Sequence, residues 1–359
     1  MNVVERLLRS HVADAPAYVT ARSRYRGGLL LDANENALGP ASPEAPADLN
    51  RYPDPANGEL REALSGWLEV PADRLWLGNG SDEVIDLLVR ILVDPGAPVA
   101  VVEPSYGVYA QRVRAQGGVV RGVRLDETFD LDVEATVAAA DGSALMFLCS
   151  PNNPTGNLLS RERILEVLRR TRCLVALDEA YVEFAGGDAR SESLVSLAGG
   201  AGSESDEAAR RLAVVRTFSK AWGLAGARVG YLVGDPVLVD AMDRVGLPYP
   251  LSSLSARTAT RALAHVDEME KARRTVVRER ERLREGLEAL GLTCLPSDAN
   301  FLLFTVDGPG RVQESLAGDH GIIIRDRSAM PGLPGGLRVT VGTPDENDRF
   351  LTALREVLR

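Results

Sequence analysis

From about Asn50 the chain repeats one pattern: a short apolar run, a turn, then a stretch with apolar residues three and four apart. SDEVIDLLVRIL is the clearest of the amphipathic stretches. It sets Val84, Leu87, Leu88 and Ile91 on one face of a helix, with Ser81 placed as its N-cap. The short runs PVAVVEP, GGVVRGVRL, ALMFLCS, CLVALDEAY, LAVVRTFS and RVGYLVG read as strands. Several are apolar throughout rather than at alternate positions, which suits strands covered on both faces. Strand and helix in alternation predict an α/β domain with a largely parallel sheet.

Outside that stretch the pattern changes. VVERLL, near the start, predicts a short helix, and LLLDANENALGP an extended entry ending in a turn. The repeat breaks at VGLPYPLSSL; a long charged helix is expected from about Val266 to Leu290. ANFLLFTV, GIIIRD and GLRVTVG then read as strands of a smaller α+β unit. AGGAGSESDEAA, Ala198 to Ala209, reads as a mobile surface loop, and the arginines of TVVRERERLRE as a solvated helix face.

Composition narrows the possible partners. A net charge of −10 argues against nucleic acid or an anionic membrane, both of which need a basic footprint. No apolar stretch approaches the roughly 20 residues of a membrane span, and MNVVERLLRSHVADAP carries charge where a signal peptide has its apolar core. Three cysteines without paired spacing and three histidines give no metal site; Cys149 and Cys173 read as inert core thiols of a reducing compartment. A cytoplasmic protein is expected.

The candidate chemistry gathers at strand exits, where open α/β sheets bind their ligands. WLGNGSDE passes from strand to helix, so Gly80, Ser81 and Asp82 can present N–H groups to a phosphate. LCSPNNPTG makes a rigid polar exit carrying Asn153, and VALDEAYVEF ends a strand in Asp178, with Tyr181 three residues on. TFSKAWGLAGAR places Lys220 after a buried run, with Thr217 and Ser219 before it and Arg228 after it. Each alone has a plain structural reading: a capped turn, a salt bridge. Together they describe one ligand. It has a phosphate for the Gly80–Asp82 turn, Thr217, Ser219 and Arg228, and a basic ring nitrogen for Asp178. It also has a phenolic oxygen for Asn153 and Tyr181, and a carbonyl for Lys220. That ligand is pyridoxal 5′-phosphate.

SPNNPTG, DEAYVEF and TFSKAWGLAGARVGY, in that order, resemble the fold-type I aminotransferases. LDANEN, RYPD, GNGSDE, PYPLS, IIIRDR and GLRVTVGT are similar to the histidinol-phosphate aminotransferase family, so the resemblance spans nearly the whole chain. It implies a large cofactor domain over residues 46–248, a small domain over 249–359 with an N-terminal arm over 1–45, and a homodimer with active sites at the subunit interface. It makes Lys220 the Schiff-base lysine, Asp178 the partner of the ring nitrogen, Tyr181 and Asn153 partners of the ring hydroxyl, and Tyr106 the aromatic stacked on the ring. Tyr52 would reach the phosphate of the neighbouring subunit's cofactor. Arg338, Arg325 and Tyr18 would contact substrate, as would Asn153.

The implied reaction moves an amino group between histidinol phosphate and 2-oxoglutarate, giving glutamate. Readings left open are an aromatic amino-acid aminotransferase and a phosphate-substrate decarboxylase of the same fold. A non-catalytic cofactor-binding regulator would carry a DNA-binding segment ahead of LDANEN, and a nucleotide-binding dehydrogenase would carry a glycine fingerprint.

Overall fold

The computed structural model describes residues 2–13, 15–16, 31–42, 44–186, 192–201 and 206–359. Among them eleven strands form: β1 Leu75–Gly78, β2 Pro98–Glu103, β3 Val119–Arg124, β4 Leu145–Cys149, β5 Leu174–Asp178, β6 Leu212–Thr217, β7 Gly230–Val233, β8 Thr293–Cys294, β9 Phe301–Thr305, β10 Arg325–Asp326 and β11 Gly336–Thr340. The chain divides into two compact units, Met1–Asp94 with Leu194–Val266, and Pro95–Ser193 with Asp267–Arg359.

In the first unit, β7 lies between β1 and β6 and runs antiparallel to both. The expectation of a largely parallel sheet does not extend to this strand. The reason is the connection: parallel neighbours need a crossover of a dozen residues or more, usually a helix. Phe218–Val229 offers only turns and the 3₁₀ segment Ala225–Ala227, so the chain doubles back.

The Ser81–Leu92 helix buries Val84, Leu87, Leu88 and Ile91 as the spacing predicts, and Ile85, Val89 and Leu92 as well. Its N-cap is Gly80 rather than Ser81, and no side chain caps it. The turn out of β1 needs φ +84° at the cap, a conformation glycine adopts freely, so Ser81 becomes the first helical residue. VVERLL gives a 3₁₀ turn over Glu5–Leu7, followed by a short helix, Ser10–Ala13.

The stretch expected as a mobile loop is structured at both ends. Leu197–Ala201 is a turn kinked at Gly200, φ +91°, with Ala198 buried, and Glu207–Arg210 is helical, capped by the Asp206 side chain. Residues 202–205 lie outside the described set.

The second unit holds the parallel strands in the order β5-β4-β2-β3. Cys149 and Cys173 are buried in it, and neither forms a disulfide. It also holds an antiparallel sheet, β10-β11-β9-β8. Its core packs Leu302, Phe304 and Leu337 with Leu283, Leu316 and Phe350. The last three come from the helices Val266–Glu288, Pro309–His320 and Pro344–Val357. GIIIRD gives a strand only at Arg325–Asp326, because the Ile322 N–H is used to close the preceding helix, donating to Leu316 O at 2.9 Å.

The arginines of the long helix are not all solvated. Arg280 is buried and donates to the carbonyls of Ala299 at 2.9 Å and Phe184 at 3.2 Å. It sits three and seven residues before Leu283 and Leu287, hence on the apolar stripe. No helix among the described residues is long and apolar enough to cross a membrane.

Candidate active site

In the first unit the site is built on strand register. β1 and β6 flank β7, so Gly78, Gly230 and Thr217 stand level at one end of the three strands. The chain leaves Gly78 through the Gly80 turn into the Ser81–Leu92 helix, whose first N–H groups have no partner within the helix.

Two glycines let the parts meet here. A Cβ on Gly230 would stand 2.2 Å from Ser81 N, and one on Gly80 only 2.5 Å from Arg228 Nη2. Arg228 has a left-handed backbone, φ +54°, an arrangement that costs a non-glycine residue about 1–2 kcal/mol. Its guanidinium donates to Ala225 O at 3.2 Å and to Asp82 Oδ2 at 3.3 Å. A guanidinium set against the Gly80 backbone at a helix N-terminus is a cradle that fits a phosphate.

Thr217 is buried. Its hydroxyl donates to Val229 O at 3.3 Å and accepts the Ser219 N–H at 3.1 Å, so its proton is spent on the turn. Lys220 follows, half-buried, between buried Phe218 and the buried pair Ala221 and Trp222; its carbonyl accepts the Gly223 N–H at 2.9 Å. The turn around Lys220 is thus fixed on both sides.

Tyr52 is 51% exposed and stacks on Tyr249, ring centroids 4.6 Å apart. Its N–H donates to Glu35 Oε1 at 2.6 Å, and Arg51 pairs with the same carboxylate at 2.8 Å. The motifs LDANEN, RYPD and PYPLS thus meet in one place. Tyr18 lies outside the described residues.

In the second unit, Cys149 pairs in register with Asp178, and the exits of β4 and β5 lie side by side. The two asparagines after β4 divide their work. Asn152, fully buried, donates to Pro104 O at 2.9 Å and Thr155 Oγ1 at 2.8 Å, and accepts from Ser105 Oγ at 2.9 Å. It holds the loop. Asn153, also buried, donates to Tyr181 Oη at 3.5 Å and accepts from Arg338 Nη1 at 2.5 Å.

The two carboxylates divide likewise. Glu179 accepts from Ser193 Oγ at 2.5 Å, whereas Asp178 accepts from Ala180 N at 3.0 Å and from Tyr109 Oη at 2.6 Å. A buried carboxylate held by fixed donors fits a basic ring nitrogen. Tyr106 is half-buried and meets Tyr109 edge to face at 5.5 Å. Burial raises the Tyr181 phenol, with Arg338 opposing, so Tyr181 serves as a neutral hydroxyl.

Arg325 stands opposite Arg338 across β10 and β11. Arg327, two residues on and so on the same face, continues the ladder by donating its N–H to Gly336 O at 2.8 Å. Arg338 also lies 5.1 Å from the Phe301 ring centroid. Nε of Arg327 and Nε of Arg338 are buried without a hydrogen-bond partner. Desolvation lowers the pKa of both guanidiniums. For Arg327 the charges of Arg338 and Arg325 lower it further; for Arg338, Tyr181 opposes the shift and Arg325 adds to it. Among the described residues no carboxylate pairs with any of the three.

Tyr109, Arg327 and Tyr249 were not singled out in the sequence. The first two had a signal: Tyr109 is three residues after Tyr106, the spacing of one helical face, and Arg327 is two after Arg325, the spacing of one strand face.

The chain has extensive likenesses. The family model for aminotransferase class I and II matches residues 27–354. The histidinol-phosphate aminotransferase of Cytophaga hutchinsonii is 37% identical over 360 residues, 98% of this chain and 98% of its own. That of Thermococcus gammatolerans is 39% identical over 348 residues, 95% of this chain and 94% of its own. Among solved structures, histidinol-phosphate aminotransferase from Sinorhizobium meliloti in complex with pyridoxal-5′-phosphate matches with a TM-score of 0.79 at 30% identity, over 91% of this chain and 90% of that one.

Proposed function

We propose that this chain, which belongs to the class I and II aminotransferases, moves an amino group between histidinol phosphate and 2-oxoglutarate, working in the cytoplasm as a homodimer. In the biosynthetic direction imidazole acetol phosphate and glutamate give histidinol phosphate, a step of histidine biosynthesis. The fold is that of the fold-type I pyridoxal-phosphate transferases, and the chain is a pyridoxal-phosphate enzyme.

Bound pyridoxal phosphate supplies the electron sink for a deprotonated Cα and a carbonyl carbon through which an amino group is exchanged. The rest is the work of side chains. Arg228 and the N–H groups of Ser81 and Asp82 bind the phosphate, with Ser219 beside them and Tyr52 reaching in from the neighbouring subunit. Tyr106 covers the ring, and Asn153 and Tyr181 hold its hydroxyl. Asp178 keeps a proton on the ring nitrogen. Lys220 would anchor the carbonyl carbon and, once released by the incoming amine, act as general base: it would take the proton from the substrate Cα and deliver it, across the transferred nitrogen, to that former carbonyl carbon. One site serves both halves in turn, so the kinetics are ping-pong.

One observation supports the choice of substrate. Arg325, Arg327 and Arg338 gather three positive charges on two short strands, and no carboxylate among the described residues pairs with them. Arg327 and Arg338, partly withdrawn from water without a salt bridge, are costly, and Arg325 stands exposed opposite Arg338, so the cluster suits an arriving anion. A phosphate dianion accepts bidentate bonds from two or three of them; the carboxylate of glutamate uses fewer. Tyr18 is assigned to the same substrate end. Purified enzyme offered histidinol phosphate, histidinol and phenylalanine should transaminate the first best, by about a hundred-fold in kcat/KM over either of the others. Phenylalanine matching histidinol phosphate would make it an aromatic aminotransferase.

A further inference from the structure

The helix Val108–Ala115 starts just after Tyr106 and carries Tyr109, a side chain with no exposed surface. Its ring lies flat on Phe147, centroids 4.8 Å apart and planes 3° from parallel. Its hydroxyl donates to Asp178 Oδ2 at 2.6 Å, while Asp178 Oδ1 accepts the Ala180 N–H. Burial first, and then the Asp178 charge, raise the phenol well above its usual pKa, so it stays a donor across the working range. The other titratable groups facing this carboxylate in the unit are the Cys149 thiol, which burial keeps protonated, and Tyr181, likewise neutral.

We propose that Tyr109 is a positioning residue for the transamination: its hydroxyl aims Asp178 and holds it as a carboxylate, and so keeps the proton on the cofactor's ring nitrogen. The proposal rests on the role given to Asp178 above. A hydroxyl donated to a buried carboxylate favours the charged form. Without it Asp178 is the stronger base and draws the shared proton from the ring. A less cationic ring then depresses the nitrogen joining Lys220 to the cofactor less, so that nitrogen titrates at higher pH.

Tyr109→Phe keeps the stacked ring and removes one oxygen. In the loaded enzyme the pH midpoint of the visible band should rise by about one unit, and kcat should fall about ten-fold with KM changed less than two-fold. Asp178→Asn and Phe147→Leu are titrated alongside. Phe147→Leu disturbs the packing but leaves the hydroxyl, and should leave the midpoint in place. A shift in Asp178→Asn with none in Tyr109→Phe overturns the role of Tyr109 alone. Equal shifts in Tyr109→Phe and Phe147→Leu make the effect one of packing, and overturn it too. No shift in any of the three removes the role of Asp178 and the proposal together.

Discussion

Arg228 in the first unit and the Arg325, Arg327 and Arg338 cluster in the second are both suited to phosphate, and they are built differently. Arg228 has a carboxylate at hand, Asp82 at 3.3 Å, and its guanidinium is fitted against glycine backbone. The three arginines of the second unit have one another, a ring and an asparagine; among the described residues none of them is in a salt bridge, and the Asp326 charge only partly offsets the shift at Arg327. A cation with a neutralising partner and a shaped seat suits a group that arrives once and stays. Cations left uncompensated suit an anion that must enter and leave every cycle, because the free state is the costly one and binding relieves it. On this view, damage in the first unit should strike both half-reactions alike, and damage in the second should tell substrates apart.

Lys220→Ala gives the largest effect expected. Removing the general base and the covalent anchor together should lower turnover at least a thousand-fold with either amino donor, while cofactor still binds without covalent attachment. Rapid mixing with histidinol phosphate and with glutamate checks it. A variant that kept one half-reaction would break the comparison at its strongest point.

Gly230→Ala comes next. The new Cβ meets Ser81 N at 2.2 Å, backbone against backbone, so β7 and the Ser81–Leu92 helix have to part. Overpacking of this kind costs about 1–3 kcal/mol. Cofactor affinity, followed by fluorescence quenching, should fall about ten- to a hundred-fold, and the two half-reactions of the reloaded enzyme should suffer to the same degree. Unchanged affinity would mean that this close approach is not part of the phosphate seat.

Much of this was legible in the sequence because strand exits declare themselves. A fully apolar run such as LMFLC or LVALD locates a buried strand, and whatever polar residue ends it, Asn153 or Asp178, is placed by that fact. What stayed hidden has physical reasons. Tyr109 looks like any aromatic on an amphipathic helix, and its value lies in a carboxylate 69 residues away. The spacing from Arg325 puts Arg327 on the same strand face, but nothing in the local chain says that its Nε is buried. Arg280 was read as solvated from the charge run around it, although its spacing from Leu283 and Leu287 already placed it on the apolar stripe. The antiparallel course of β7 depends on the length of a connection, a feature that apolar patterning does not record. The cap at Gly80 depends on a backbone angle, which Ser81 as a residue type concealed.

The central claim is that the unpaired arginines read the phosphate of the substrate, and one experiment meets it directly. Arg325→Ala and Arg338→Ala are each mixed in single turnover with histidinol phosphate and, separately, with glutamate. Loss of a charged contact is worth roughly 1.5–3 kcal/mol, about ten- to a hundred-fold in kcat/KM. Arg325→Ala should lose that much with histidinol phosphate and only a few-fold with glutamate, whereas Arg338→Ala should lose it with both. Equal losses for Arg325→Ala on the two substrates would contradict the account.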